Sequence, residues 1–325
     1  MKKVLYTGML LAALTACNKK DEVQPDNNGN NRINFVIADN LFNFSYFNTA
    51  LERTGYLKKL AGEGPFTVLV PDNIAFNRSG YGNHDALLTE SLSILNNMVS
   101  YHILGGKWEF NKLPFSFNQE IRTDAGARMF VTRWVKNADT ILMINGTRIT
   151  ARNLPASNGL IQVMSEVLPP LVNKTVSDAV AADTSLTLLN VALQQSGMKE
   201  QLASDEVYTL MVPSNRALRA AGYGSIDKIN AEDPAVLRRL LSYTMFKGRK
   251  FVYDYILTTS STNQSEQAML NGNNIIIKVI SKSDGTQDIT LKGTGNAQPA
   301  NIVKRNVLAG NGVLHVVDAL LKENQ

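Results

Sequence analysis

Sliding the 325-residue chain against itself by 142 positions brings two distant segments into register. Phe66–Phe76 falls on Tyr208–Leu218 with Thr, Val, Pro, Asn and Ala identical in place, where composition alone gives about one match. Without a gap, the same shift lays Thr54-Gly55 on Ser196-Gly197, Gly80-Tyr81-Gly82 on Gly222-Tyr223-Gly224, and Tyr101 on Tyr243. Further along the shift has grown to 153, where Arg152-Asn153 meets Arg305-Asn306 and Asn158-Gly159-Leu160-Ile161 meets Asn311-Gly312-Val313-Leu314. A period this long is no solenoid, so each copy must own a core. The repeat therefore predicts two like domains, residues 32–170 and 171–325, parted at the turn that Pro169-Pro170 imposes. Hydrophobic residues at 44% and charged residues at 19% suffice for packed cores and exclude a disordered or collagen-like chain.

Each copy reads as α+β. Thr67–Val70 and Thr209–Val212 are short apolar, β-prone runs ended by proline, which cannot donate to a ladder. Asp72 or Asn73, and Ser214 or Asn215, then suit the N-cap of a helix. The next helix carries Leu92, Leu95, Met98, Val99 and His102 on one face, a stripe repeated by Leu237, Leu240, Leu241 and Thr244. Strands are expected over 129–131, 141–144, 160–163, 275–280, 289–291 and 313–317, mainly antiparallel, with hairpin turns at Asn145-Gly146 and Asp284-Gly285.

The N-terminus reads as a targeting segment. Lys2 and Lys3 precede an apolar run, Val4 to Leu14, too short to span a bilayer. Leu14-Thr15-Ala16-Cys17 then looks like a bacterial lipobox, with cleavage removing residues 1–16 and the sole cysteine, Cys17, taking the lipid. Triple acylation would bury dozens of methylenes at about 0.8 kcal/mol each, an effectively permanent anchor to the membrane. Residues 17–31, rich in Asn, Asp, Gln and Pro, form a flexible spacer. Within it Lys19-Lys20-Asp21-Glu22 resembles the signal that sends some Gram-negative lipoproteins to the outer face of the outer membrane, so surface exposure is expected ahead of periplasmic retention. Removing Lys2 and Lys3 leaves 31 basic against 28 acidic residues. The pairs Arg238-Arg239, Arg249-Lys250 and Lys304-Arg305 are scattered, which argues against a nucleic-acid partner.

Three motifs in one order, twice over, carry a family resemblance. Thr67–Phe76, Tyr101-His102 at a helix end, and Asn158-Gly159-Leu160-Ile161 before a strand ending in Leu168-Pro169 resemble the fasciclin-type adhesion domain. The second copy matches with Thr209–Leu218, Tyr243 and Asn311–Asp318. The resemblance covers nearly all of the chain after residue 32. It implies two tandem domains, each a helical layer packed on a wedge of two small β-sheets, and a role in adhesion or extracellular binding rather than catalysis. One departure is Tyr243-Thr244 where the family often has Tyr-His. Any binding role of that pair would fall to Tyr101 and His102.

The remaining candidates weigh toward structure. His102 shares a face with Leu95 and Val99, and a buried, hydrogen-bonded polar residue explains both it and Thr244. His315 alternates with Val313 and Val317 on a strand face expected to be only partly covered, and His84 lies in a polar loop without a second histidine. No metal or cofactor is expected, since a lone cysteine leaves no thiolate zinc site or redox pair. The hydrolase elbow, zincin, phosphate-loop and calcium-loop patterns do not occur. Trp108 and Phe110, then Phe115 and Phe117, and the alternating Phe251, Tyr253 and Tyr255, could stack on sugars or anchor a protein. The same alternation is what a half-buried strand requires, and core packing is the favoured reading. The expectation is a non-enzymatic, membrane-anchored envelope lipoprotein that recognises glycan or protein. The alternatives are an accessory subunit or degenerate enzyme of a glycan-uptake system, and a structural envelope spacer.

Overall fold

The computed structural model describes residues 31–123, 126–283 and 286–324. The lipobox Leu14, Thr15, Ala16 and Cys17, nearly all of the spacer, and Asp284-Gly285 lie outside the described residues.

The first domain runs α1 (Ile33–Ala38), α2 (Leu41–Thr54), α3 (Tyr56–Leu60), β1 (Phe66–Pro71), α4 (Asn73–Arg78), α5 (His84–Thr89), α6 (Leu92–Tyr101), β2 (Ile103–Gly105), β3 (Ser116–Arg122), β4 (Arg128–Lys136), β5 (Asp139–Ile144), β6 (Thr147–Ala156) and β7 (Gly159–Met164). The second repeats the plan with α7 (Val176–Ala182), α8 (Thr187–Gln195), α9 (Lys199–Leu202), β8 (Tyr208–Pro213), α10 (Asn215–Ala220), α11 (Ile226–Asn230), α12 (Pro234–Ser242), β9 (Met245–Lys247), α13 (Val252–Thr258), β10 (Gln264–Ala268), β11 (Asn274–Ser281), β12 (Gln287–Lys292), β13 (Ala300–Ala309) and β14 (Gly312–Val317). Strand order is β2-β1-β7-β6-β5-β4-β3 and β10-β11-β12-β13-β14-β8-β9. These are the same order traced from opposite ends.

The wedge arises in one strand of each copy. β6 pairs with β5 at its start and with β7 toward its end, and its register slips between Ile149 and Ala151 and again before Leu154. β13 does the same between β12 and β14, slipping at Ile302, Lys304 and Val307. Asn153 and Asn306 stand at φ 54° and 58° within these slips, a conformation asparagine tolerates better than most residues. The bulges bend the ladder, so each domain holds two small sheets sharing one strand. Among the described strands the pairings are antiparallel except β1 with β7 and β8 with β14, which the sequence did not signal.

β1 is buried on both faces: Val68 and Val70 enter the helical core, while Leu69 enters the wedge. Leu210 and Val212 match the former and Met211 the latter in β8. Asp72 and Ser214 cap α4 and α10, accepting from Ala75 N and Ala217 N. The neighbouring Asn73 and Asn215 do different work, accepting from Tyr46 N just after the break at Phe44 in α2 and from Leu188 N at the first turn of α8.

Several expectations need correction. Leu92 is 51% exposed, because it stands on the first turn of α6, beyond the edge of the core. His315 lies on a strand covered on both faces, since β14 is central in its sheet and the first domain closes over the wedge. Phe251 stands at the N-cap of a helix, α13, to which Tyr253 and Tyr255 belong and whose residues 252, 255 and 256 turn inward together. The expected turn at Asn145-Gly146 is present, with φ 50° and 77°, as a two-residue hairpin of the primed kind requires.

The recurrent Asn-Gly has a physical cause. Asn158 Oδ1 accepts from Ile33 N, and its Nδ2 donates to Leu60 O and Gly62 O at 2.7 Å each. Asn311 Oδ1 likewise accepts from Val176 N, and its Nδ2 donates to Leu202 O and Ser204 O. The next residue must be glycine, because a Cβ on Gly159 would stand 2.0 Å from Phe66 O and one on Gly312 2.2 Å from Tyr208 O. Asn158→Ala and Asn311→Ala are each expected to cost their own domain about 3 kcal/mol, since they strip partners from several buried backbone groups at once. Chemical denaturation checks this; losses under about 1 kcal/mol in both variants would contradict it.

Candidate binding site at the domain junction

The Tyr-His pair is internal. Tyr101, 3% exposed, donates its hydroxyl to Arg128 O at 2.8 Å and accepts from Asn145 Nδ2 at 2.9 Å, fastening the hairpin after β5 to the head of β4. Tyr243 does the same job, donating to Asn274 O and accepting from Thr294 N. His102 is fully buried; its Nδ1 donates to Met98 O at 2.8 Å, and its Nε2 accepts from Leu168 N at 3.0 Å. Burial depresses its pKa to about 4 and keeps the ring neutral. Thr244 meets the smaller need of its site by donating to Leu241 O.

Among the aromatics, Phe110 is fully buried inside the wedge. Trp108 is half-buried, stacks on Phe110 at 6.4 Å and donates its Nε1 to Gly105 O. Phe115 is 50% exposed, and the Arg133 guanidinium lies 3.8 Å from its centroid. Phe251 and Tyr255 are buried, while Tyr253, between them in sequence, is more exposed than either. His84 caps no metal cluster; its ring nitrogens meet Thr49 Oγ1 and Ser45 Oγ, and it lies against Tyr46 at 4.5 Å.

His315 has a counterpart that explains it. In the first domain Gln162 accepts from Asn153 N and donates to Trp108 O, clamping the bulge of β6 to the chain after β2. His315 accepts from Asn306 N through Nδ1 and meets Lys250 O through Nε2, the same two backbone positions 153 and 142 residues on. Burial also lowers its pKa to about 4, helped by Arg305 and opposed by Asp288.

Sequence reasoning passed over the junction itself. Phe130 of β4 packs with Phe251, Leu308 and Val313, while Ile141 and Met143 of β5 pack with Leu257 of α13. Arg249 lies 3.8 Å from the Phe130 ring and donates to the carbonyls of Ala309, Gly310 and Gly312. Asp254 is buried under this contact: its Oδ2 accepts from Phe251 N and from Asn118 Nδ2 of the first domain, with Thr132 Oγ1 3.5 Å from its Oδ1. Burial raises its pKa to about 6 against the pull of those donors. The turn glycine Gly146 fits tightly here, since a Cβ on it would stand 2.7 Å from Phe251 Cβ. One sequence signal pointed to the place: the shift grows from 142 to 153 between Tyr243 and Arg305, the stretch that holds α13.

Beside Gly146 a cleft of about 330 Å³ opens between the domains. Arg78, Thr147, Arg148 and Glu166 line one wall, and Tyr253, Gln287, Arg305 and Asn306 the other. Arg305 pairs with Glu166 at 2.6 Å, closing the floor across the junction. Asp288, buried, is shared by Lys282 at 2.6 Å and Arg305 at 3.9 Å. Among the described residues no group of three or more His, Cys, Asp or Glu is placed to hold a metal ion.

The sequence profile of the fasciclin domain matches residues 42–170 and again 184–323. The chain is 24% identical over 283 residues to transforming growth factor-beta-induced protein ig-h3 of Sus scrofa, covering 83% of this chain and 36% of that protein's length. It is 30% identical over 130 residues to protein sll1483 of Synechocystis, covering 39% of this chain and 68% of that protein. Among solved structures, a FAS1 domain pair from the insect cell adhesion molecule Fasciclin I aligns at a TM-score of 0.42 and 16% identity, covering 86% of this chain and 96% of that one.

The buried titrating groups oppose one another. His102 and His315, held near 4 when folded against about 6.5 unfolded, contribute stability that is intact above pH 6.5 and lost as the pH falls toward 4, by up to about 1.4 kcal/mol per unit each. Asp254, raised to about 6 from 3.8, contributes most below pH 3.8 and loses that contribution as the pH rises through 6. His315→Gln, which installs the side chain of Gln162, should keep most stability at pH 7.5 and flatten the acid loss of the second domain; an unaltered acid limb in thermal melts would contradict this. Asp254→Asn should raise the melting temperature at pH 7.5 and leave it unchanged near pH 4, and a lowered value at pH 7.5 would show that the ionised carboxylate holds the junction.

Proposed function

The chain belongs to the fasciclin family, and on that premise we propose that it is a non-catalytic binding protein of the cell envelope, anchored by lipid on Cys17, whose paired domains hold a glycan or a surface protein. The observation that supports the reading best is the junction cleft, whose walls come from both domains and whose lining is polar, charged and in part aromatic. The lipobox Leu14-Thr15-Ala16-Cys17 supports anchoring. The spacer of residues 17–31 can reach roughly 50 Å when extended, enough to lift the domains clear of lipid headgroups. Lys19-Lys20-Asp21-Glu22 supports display on the outer face of the outer membrane.

Cells fed a labelled fatty acid should incorporate it into the wild-type chain, and Cys17→Ala should abolish the label and release the protein from the membrane fraction. Protease added to intact cells should remove the domains. A glycan and matrix-protein array probed with the purified chain should give saturable hits without turnover of the bound species. Label retained in Cys17→Ala would end the anchoring reading, and an array without hits would end the binding one.

A further inference from the structure

Three arginines line the junction cleft and Lys282 lies in the adjoining hollow, but the four cations are not equivalent. Arg305 and Lys282 are neutralised by Glu166 and Asp288. Arg78, on the last turn of α4, and Arg148, near the start of β6, are exposed, and their guanidinium groups have neither a carboxylate nor a hydrogen-bond partner among the described residues. Both come from the first domain and reach one cavity. The contrast with the cleft of about 480 Å³ elsewhere on the junction is informative. There Arg128 stands near Glu120 at 3.8 Å, and the donors of Arg249 are taken by three carbonyls. Of the two clefts, the one beside Gly146 has two arginines, Arg78 and Arg148, with no carboxylate paired to them among the described residues.

We infer that this cleft is a site for an acidic saccharide, its carboxylate or sulfate held by Arg148 and Arg78 and its ring set against Tyr253. The inference rests on the binding function proposed above and names the ligand class for it. Planar guanidinium groups form paired, charge-assisted hydrogen bonds with carboxylate and sulfate oxygens, stronger than bonds between neutral groups. A bare anion would leave most of the cavity unfilled, whereas about 330 Å³ accommodates one or two sugar rings. The rest of the lining suits hydroxyls: Thr147, Gln287 and Asn306 offer donors and acceptors, and Tyr253 supplies the flat apolar surface on which sugar C–H faces pack. The pair Arg305 and Glu166 then sets the floor by fixing the distance between the walls. Both domains are needed, because the arginines lie on one and the tyrosine and amides on the other.

The test titrates the full chain, in detergent micelles, with digalacturonate, a sulfated chondroitin disaccharide, the methyl ester of digalacturonate, and inorganic sulfate, followed by calorimetry. At least one acidic disaccharide should bind saturably, with affinity at least tenfold above that of the ester and of sulfate. Arg148→Gln and Arg78→Gln should each weaken it about tenfold, and Tyr253→Ala several-fold, while melting temperatures of the two arginine variants stay at the wild-type value. The inference is overturned if neither acidic disaccharide binds, if the ester or inorganic sulfate binds as tightly, or if both arginine variants bind unchanged. Hits on the array that survive in the Arg78→Gln, Arg148→Gln double variant would remove the cleft as the site while leaving the binding function standing.

Discussion

Each domain is closed by one buried asparagine. The chain enters through a helix and leaves through a central strand, and nothing in a mixed sheet by itself ties those two ends together. Asn158 and Asn311 make that tie by satisfying three backbone groups from three segments, the first helix, the end of the third and the loop beyond it. Buried backbone groups left unpaired are costly, so one amide side chain that serves three of them holds a position that few substitutions could keep. The glycine that follows lets β7 and β14 approach β1 and β8 closely enough for parallel pairing. From that pairing follow the two-sided burial of the central strands and the division of each core into a helical part and a wedge.

The copies diverge where they touch. Residues 110–112 form a short 3-10 turn in the first domain, and at the same register the second builds the seven-residue α13, which lies against β4 across the junction. The two-residue turn Asn145-Gly146 of the first domain, compact enough to sit against Phe251, corresponds to a seven-residue loop, 293–299, in the second. Duplication supplied two equal wedges, and the lengthened segments made them unequal, so that a face of one could be covered by the other. Asp254, Asn118 and Arg249 add directional contacts to that apolar seam.

Legibility followed locality. The runs around Pro71 and Pro213, the caps Asp72 and Ser214, the hairpin at Asn145-Gly146 and the strands β4, β5, β7, β11, β12 and β14 all rest on short-range chemistry, and they could be read directly, whereas the bulged β6 and β13 were not expected. Short helices such as α1, α3 and α9, with 4–6 residues each, carry too little periodicity to announce themselves. The spacing of Phe251, Tyr253 and Tyr255 misled because a period of two over five residues also fits one and a half helical turns, and what decides between them is the first domain packed against Leu257. His102 could be judged from its apolar neighbours and from Thr244. The arginines of the cleft could not, since Arg78 and Arg148 meet only through the tertiary fold of the first domain and Arg305 joins them only through the docking of the second.

That difference bears on where recognition can reside. Residues that the repeat retains, such as Tyr101 with Tyr243 or Asn158 with Asn311, are the ones whose side chains are spent on the domain's own backbone. A buried hydroxyl that already donates to one carbonyl and accepts from one amide has no donor left and is out of a ligand's reach. Binding would instead draw on groups whose donors are unused, and these are not required by the fold and not repeated: the strand pairing sets Asn301, whose amide donates to Asp318, at the place of Arg148, and the shift of 142 lays Ala220 on Arg78. A duplicated scaffold thus keeps its folding chemistry symmetric and becomes specific at the seam, where each copy contributes side chains the other lacks.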